Sequence, residues 1–300
     1  MAKSTSVVIG AGATGVATAR QLADSGQQVR LITRSGSGPD HPGIERIALD
    51  AGRTEELAEA LAGATTVHNA AMTAYHTWPE TMPPLFASIL AATERAGADY
   101  VMLGNHYAYQ QTTGPVTERT PLLPHTRKGR VRAELWRQAE QAHRDGRLRV
   151  TEVRAGQYLG QGAVSAFTLL VAPRVREGEL ALAHGNPDAL HAFSYTEDVA
   201  AALVAVGRDE RSWGRAWNAP VITATLREAS TVLAELHGAP EPRLESLTER
   251  DLTLMSLSEP LWREFIEMSY MSDRPFLVDD SDIRDTFGLK PSTLREALTA

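Results

Sequence analysis

The feature that most constrains this chain is an apolar run followed at once by spaced glycines, VVIGAGATGVATAR at residues 7–20. Gly10, Gly12 and Gly15 form a G-x-G-x-x-G pattern between a predicted strand and a predicted helix. In that context the glycines allow a tight turn, a close approach of a pyrophosphate and close packing of helix on strand. The helix N-terminus then faces the phosphates. The pattern predicts a dinucleotide site that includes Thr14, with an unliganded glycine-rich loop as the alternative.

Strand-like and helix-like segments alternate through the first half of the chain. The predicted strands cover residues 6–10, 29–33, 44–49, 65–69, 100–103 and 148–154, and the predicted helices cover 13–25, 53–61, 85–96 and 129–143. Such alternation implies right-handed crossovers and a parallel sheet with helices on both faces. We therefore predict an α/β fold with a Rossmann-type, doubly wound parallel sheet.

The alternation breaks after residue 155. Residues 156–188 are rich in glycine, helices are predicted at 196–206 and 224–236, and residues 241–300 are polar, interrupted by prolines and largely helical. We predict a dinucleotide-binding domain at 1–155, to which 190–225 returns. Residues 156–300 then form most of a smaller, mainly helical substrate-binding lobe.

Composition excludes several classes of function. A hydrophobic fraction of 43% suffices for a core, and a net charge of -7 argues against a partner such as nucleic acid or an anionic membrane. The absence of cysteine excludes disulfides and thiolate metal sites, and the scattered histidines predict no metal site. The N-terminal apolar run is too short for a signal peptide, and no later run reaches membrane-spanning length. These features favour a cytoplasmic protein.

The end of the second predicted strand indicates which dinucleotide binds. An acid there would accept hydrogen bonds from the ribose of NAD, but the chain has Arg34 and Ser35. Arg34 can pair with a 2′-phosphate, so we favour NADP, with NAD possible and a solvated arginine as the alternative. Asp50 either binds adenine or caps the next helix. Asn69 and Ala70 end a strand, where small residues leave room for the nicotinamide ribose but also suit ordinary packing.

Polar and aromatic residues follow the fifth strand, where ligands bind in parallel sheets. Asn105 offers an amide, His106 a titratable ring, and Tyr107 and Tyr109 phenols. Each is a candidate for chemistry or, alternatively, a buried and hydrogen-bonded polar residue. Further candidate substrate contacts are aromatic and polar side chains near predicted strand ends; they are Tyr75, His76, Trp78, Gln157, Tyr158, His191, Phe193 and Tyr195. Such a mixture suits a small organic substrate or the seam between two lobes.

In order and spacing, several segments together resemble the short-chain dehydrogenase/reductase superfamily. The similarity is to the extended type, the NAD(P)-dependent epimerases and dehydratases, and covers most of the chain. It is carried by TTVHNAA at 65–71, VTERTP at 116–121, RAGQYLGQG at 154–162, FSYTEDVA at 193–200 and WN at 217–218. The resemblance implies a Rossmann fold, a nicotinamide cofactor and, in many members, a homodimer.

The chain departs from that family where its catalytic pair falls. The family's Tyr-x-x-x-Lys aligns with Lys128 and Arg132, and Asn105 stands at the family's catalytic Ser or Thr. The resemblance implies that Arg132 holds ribose hydroxyls. Lys128 could donate a proton if its pKa fell, or it could tune Tyr107 as a rival acid. A solvated basic helix start is the alternative.

Three functions follow from these observations. We favour an NADP(H)-dependent oxidoreductase of atypical type that transfers hydride to or from a carbonyl or imine carbon of a small metabolite. The first alternative is a nucleotide-sugar epimerase or dehydratase with retained NAD(P), for which Arg174 and Arg176 are the candidate diphosphate contacts. The second is an NADP-binding non-redox cyclase, isomerase or redox sensor.

Overall fold

A computed structural model describes residues 5–299 of the 300-residue chain. The strands are β1 (Thr5–Ile9), β2 (Gln28–Thr33), β3 (Ile44–Ala48), β4 (Thr66–Asn69), β5 (Asp99–Asn105), β6 (Val150–Ala155), β7 (Tyr158–Leu159), β8 (Leu180–His184), β9 (Leu190–Tyr195), β10 (Ala216–Asn218), β11 (Ile222–Thr225) and β12 (Arg243–Leu247). The helices are α1 (Ala13–Asp24), α2 (Thr54–Ala60), α3 (Trp78–Ala96), α4 (Arg127–Arg144), α5 (Ala172–Arg176), α6 (Thr196–Val206), α7 (Leu226–His237), α8 (Glu249–Met255), α9 (Arg263–Ile266), α10 (Ser281–Phe287) and α11 (Leu294–Thr299).

Seven strands form one sheet in the order β10-β6-β5-β4-β1-β2-β3. Every neighbouring pair in it is parallel. The strand order changes direction between β1 and β4, and ligands of such sheets bind beyond the strand ends at this switch point. The predicted Rossmann-type fold is confirmed.

Helices cover both faces of the large sheet because each has one apolar side. Leu57 of α2, Ile89 of α3 and Leu135 of α4 belong to one buried cluster with side chains of the sheet. Leu22 of α1 and Leu203 of α6 lie in clusters that also contain residues of β1 and β5. Both faces of the strands are therefore buried, which explains their continuous apolar sequences.

The second half of the chain adds two small sheets to its helices. One has three strands in the order β11-β9-β7, and the other pairs β12 with β8. Within 190–225, β10 joins the large sheet and α6 packs on α1, whereas β9 and β11 belong to the small sheet. The division into a dinucleotide domain and a substrate lobe stays a prediction.

Some predicted boundaries differ from the structure. Helix α3 begins at Trp78, not at residue 85, and continues through Pro83 and Pro84. A helix was predicted to begin at residue 224. Instead, residues 222–225 form β11, and α7 begins at Leu226. The interpretation of the N-terminal run includes residues 1–4, which lie outside the described residues. No helix between residues 5 and 299 is both long and apolar enough to cross a membrane.

Candidate active site

The glycine pattern forms a tight connection between β1 and α1. Gly10 has a φ of +100°, and a Cβ there would lie 2.7 Å from the Ala70 carbonyl oxygen. A Cβ on Gly15 would collide with the Gly10 carbonyl, whereas one on Gly12 would meet no atom within 4 Å. Helix α1 has no side-chain N-cap and no acid in its first turn. The loop therefore fits an anionic pyrophosphate, which backbone amides and the helix dipole would hold.

The residues predicted for the adenosine end lie on the surface near the ends of β2 and β3. Arg34 is exposed, and its guanidinium has no hydrogen bond or ion pair with any residue between 5 and 299. The Ser35 hydroxyl donates to Ser37 Oγ at 3.0 Å. Asp50 accepts from the Gly52 amide at 2.9 Å and does not cap α2. These three side chains remain candidate contacts of the adenosine half.

Asn69 and Ala70 lie at the end of β4 but differ in position. Asn69 is buried, its amide donates to the Tyr100 hydroxyl at 2.7 Å, and its Oδ1 accepts from the Ala71 amide. Asn69 does not line the main cavity described below, and its contact with the cofactor stays a prediction. Ala70 lines a large cavity instead, and its small side chain leaves space there.

This cavity, which we call the main cavity, has a volume of about 540 Å³. It extends from the loop of Gly12 to Gly15, past the ends of β4, β5 and β6, to the segment 261–276. Thirteen of the candidate residues named from the sequence line it, and they are Gly12, Thr14, Gly15, Ala70, Tyr75, Trp78, Asn105, His106, Tyr107, Arg132, Gln157, Tyr158 and His191. The structure thus brings most of the predicted nicotinamide and substrate contacts together.

Two phenols stand side by side in the main cavity. The Tyr75 hydroxyl donates to the Tyr107 hydroxyl at 3.2 Å, and the Tyr107 amide donates to Asn105 Oδ1 at 3.1 Å. The Trp78 ring centroid lies 4.9 Å from that of Tyr75 and 5.9 Å from that of Tyr107. Burial raises the pKa of Tyr107, although the hydrogen bond with Tyr75 and the positive charge of Arg132 oppose the rise. Both phenols are protonated at neutral pH and can donate a proton.

Arg132 is a buried cation at the wall of the main cavity. Its guanidinium carbon lies 4.6 Å from the Trp78 ring centroid, and its Nη1 donates to the Leu103 carbonyl at 3.3 Å. Its Nε has no hydrogen-bond partner. No carboxylate between residues 5 and 299 forms an ion pair with it. Burial lowers its pKa because desolvation disfavours the charged form. The position of the guanidinium at the wall suits contact with a ligand oxygen.

Lys128 is buried, with 1% of its surface exposed, and it does not line the main cavity. Its ammonium lies 4.4 Å from the Tyr75 ring centroid and forms ion pairs with Glu264 and, at 2.8 Å, with Glu267. The neighbouring Arg127 guanidinium points instead toward Glu80, 3.6 Å away. Lys128 therefore connects α4 to the segment 261–276. Its role as a proton donor stays a prediction.

Tyr109 and Tyr195, two further candidates predicted from the sequence, lie outside the main cavity. Tyr109 is buried and its hydroxyl is bonded to Arg154, while Tyr195 packs against the core of the second half. Sequence reasoning missed six lining residues of the C-terminal region, and they are Leu261, Phe265, Met268, Met271, Ser272 and Phe276. The only signal was an apolar spacing of three to four residues in a polar segment, which is typical of an amphipathic helix.

Comparisons place the chain among known folds. A family model described as the NAD dependent epimerase/dehydratase family matches residues 6–219. No curated protein matches the chain significantly.

The solved structures it resembles include a dTDP-glucose 4,6-dehydratase from Streptomyces venezuelae, 18% identical, with a TM-score of 0.77 over 98% of this chain and 96% of that one. A UDP-N-acetylglucosamine 4-epimerase from Methanobrevibacter ruminantium is 17% identical, with a TM-score of 0.79 over 100% and 98%. A UDP-N-acetylglucosamine 4-epimerase from Bacillus cereus is 16% identical, with a TM-score of 0.78 over 99% of this chain and 94% of that one. At these identities the likeness shows the fold.

Proposed function

Since a family model matches residues 6–219, the chain belongs to the NAD-dependent epimerase/dehydratase family, and we propose that it is an enzyme that acts on an alcohol or carbonyl carbon in the main cavity. One observation carries the proposal: the same cavity is lined by the glycine loop and by the phenols of Tyr75 and Tyr107. A dinucleotide held by the loop would place its reactive end toward these phenols.

Each residue has a proposed part in this reaction. When bound, the nicotinamide would accept hydride from the substrate carbon or donate it. The Gly12 backbone and the α1 N-terminus hold the pyrophosphate, and Arg132 holds ribose hydroxyls. Tyr107 gives its proton to the substrate oxygen or takes it back, and the Tyr75 hydroxyl relays that proton. The apolar walls exclude water from the reacting atoms.

The first candidate is an epimerase or dehydratase with a retained cofactor, because the family is described by these two activities. The dehydratase and the epimerases that it resembles are named for nucleotide sugars. In this reading the cofactor is restored at the end of each cycle. We expect that denaturing the purified protein releases NAD(H) or NADP(H), measured by absorbance and chromatography. An empty protein that also binds no added nucleotide would overturn the proposed function.

The variant Gly12→Ala tests the same site without disturbing the fold. A methyl group at Gly12 meets no protein atom within 4 Å and would occupy space that the pyrophosphate needs. We expect dinucleotide affinity to fall about tenfold or more, which is about 1.4 kcal/mol, while Tm stays unchanged. Gly114→Ala is the matched control, since a Cβ on this exposed glycine also meets nothing within 4 Å. Equal affinities for both variants would contradict the proposed pyrophosphate site.

A one-way NADP(H)-dependent reductase is the second candidate, and two observations favour it. The exposed Arg34 guanidinium is available for a 2′-phosphate. Burial also raises the pKa values of Tyr75 and Tyr107, so the phenolate form that would abstract a proton is scarce at neutral pH. Consumption of added NADPH with a ketone substrate, without any bound cofactor after purification, would favour the reductase over the epimerase or dehydratase.

A further inference from the structure

We propose that the substrate of the main cavity is a compact, mainly apolar alcohol or ketone without a phosphate group, and not a nucleotide sugar. This substrate class rests on the proposed function, because it concerns the same cavity. The structural relatives act, by their names, on nucleotide sugars. The chemistry of the lining residues in this chain differs from what such a ligand needs.

The first argument is charge. Arg132 is the one Lys, Arg, Asp or Glu among the residues that line the main cavity within 5–299. The lining histidines are His106, His184 and His191, and burial lowers the pKa of each, so they are neutral at neutral pH. A substrate diphosphate brings about two negative charges, which need paired cations or free backbone amides when they are taken out of water. In the proposed function the amides of the glycine loop already hold the cofactor pyrophosphate, so cations would have to hold the substrate diphosphate. The cavity supplies too few.

The second argument is the position of the nearby arginines. Arg174 and Arg176 were the sequence candidates for a diphosphate, but neither lines the main cavity. Arg174 is exposed, is paired with Glu179 and donates from Nε to the Leu180 carbonyl at 3.3 Å. Arg132 is fixed against Trp78 and the Leu103 carbonyl, where its proposed partner is the cofactor ribose. No second cation of the lining remains for a diphosphate.

The third argument is the apolar lining of the half that faces the segment 261–276. Phe265, Phe276, Met268 and Met271 line the cavity there, and Met72 belongs to the same lining. Methionine adapts its flexible side chain to irregular apolar ligands, and aromatic faces suit rings. These residues gain from contact with hydrocarbon and offer few hydrogen bonds to a sugar.

The exposed edge of the main cavity, which we call the rim, is also apolar. Val164 is 72% exposed and Leu169 is 41% exposed, and both line the cavity. Both side chains therefore extend the apolar surface of the cavity toward solvent. Because the cavity of about 540 Å³ also includes the glycine loop, a bound nicotinamide leaves space for a compact ligand only.

The test is calorimetric titration of the full chain saturated with its dinucleotide. The probes are UDP-glucose and three uncharged ketones: 2-decalone, 1-tetralone and acetophenone. We expect at least one ketone to bind about tenfold tighter than UDP-glucose, a difference of about 1.4 kcal/mol. Equal or tighter binding of UDP-glucose would overturn the substrate class, and so would failure of all three ketones to bind.

A charge variant sharpens the result. Val164→Arg adds the missing cation at an exposed position of the rim, so we expect UDP-glucose affinity to rise severalfold, about threefold to tenfold. Leu257→Arg adds the same charge at a residue that is 83% exposed and lies outside the lining, and it leaves both affinities unchanged. If the chain binds no dinucleotide at all, the proposed function fails; if it binds dinucleotide and prefers UDP-glucose, only the substrate class fails.

Discussion

At the residue scale, the central question is which side chain supplies the proton. Tyr107 lines the main cavity with its hydroxyl bonded to Tyr75, whereas Lys128 is paired with two glutamates outside the lining. We expect Tyr107→Phe to lower kcat by about 10² to 10⁴-fold, the usual contribution of a general acid, with little change in Tm. Tyr195→Phe is the control, because that ring lies outside the lining. Full activity of Tyr107→Phe would exclude Tyr107 as the donor.

The predicted preference for NADP depends on Arg34, also at the residue scale. Its guanidinium is exposed and has no bonding partner within residues 5–299, so its removal costs the fold little. If it pairs with a 2′-phosphate, Arg34→Ala weakens NADPH binding about tenfold, or about 1.4 kcal/mol. Calorimetry with NADH on the same variant is the internal control, since NADH lacks that phosphate. A wild-type preference for NADH would contradict the prediction.

At the element scale, the notable connection is between α4 and the segment 261–276 that closes the main cavity. Lys128 pairs with Glu264 and Glu267, and the Arg127 amide donates to Glu267 at 3.0 Å. From the other side, the Tyr270 hydroxyl donates to the Tyr109 carbonyl at 3.1 Å. The position that resembles the family's catalytic tyrosine therefore holds this segment in place.

Removing Lys128 leaves its two carboxylates close together without a cation. We expect Lys128→Met to lower the free energy of unfolding by about 3 to 5 kcal/mol, measured by urea denaturation. The triple variant Lys128→Met, Glu264→Gln and Glu267→Gln removes the repulsion and should recover much of that loss. Where activity is measurable, a rise in KM with a retained kcat would mark a structural role. Loss of kcat alone, with unchanged stability, would instead support the predicted proton donor.

Sequence patterns predicted some elements correctly and others not. Helix α6 has the predicted bounds because its apolar side is regular and its ends are clear. Helix α3 was predicted too short because Pro83 and Pro84 usually end a helix, yet Pro79 near its start and the buried Trp78 and Met82 extend it. The segment 261–276 was missed because its apolar residues face the cavity, not a long regular core.

At the scale of the whole molecule, the alternating pattern sufficed to predict the fold, whereas the family was predicted from the resemblance of several short segments to the extended dehydrogenases. The resemblance to extended short-chain dehydrogenases is confirmed by the family match over residues 6–219. The substrate side was harder to predict because its residues come from separate parts of the chain: Tyr75 before α3, His191 in β9 and Phe265 in α9. Local patterns report which face of an element is buried, but not which distant side chains meet across a cavity.

The stability of the whole molecule depends on pH because some of its buried histidines are neutral. Burial lowers the pKa of His68 to about 3 from its usual 6.5, with the Arg208 charge adding to the effect. The unfolded chain takes up a proton on His68 below about pH 6.5, while the folded protein does so only near pH 3, so stability falls as pH falls through that interval. Above about pH 6.5 this contribution is fully present.

At a pH of about 5, the loss from His68 amounts to about 2 kcal/mol, since each pH unit below 6.5 costs about 1.4 kcal/mol. We expect the unfolding free energy of His68→Gln, measured in urea at pH about 7.5 and about 5, to change by about 2 kcal/mol less than that of the wild type. The difference between the two pH values removes any constant effect of the substitution on packing.

His76→Gln is the control, because His76 is exposed and should leave the wild-type dependence intact. The same pH dependence in His68→Gln as in the wild type would show that His68 is protonated alike in both states, and the fall toward acid would then belong to other groups, such as the buried His106.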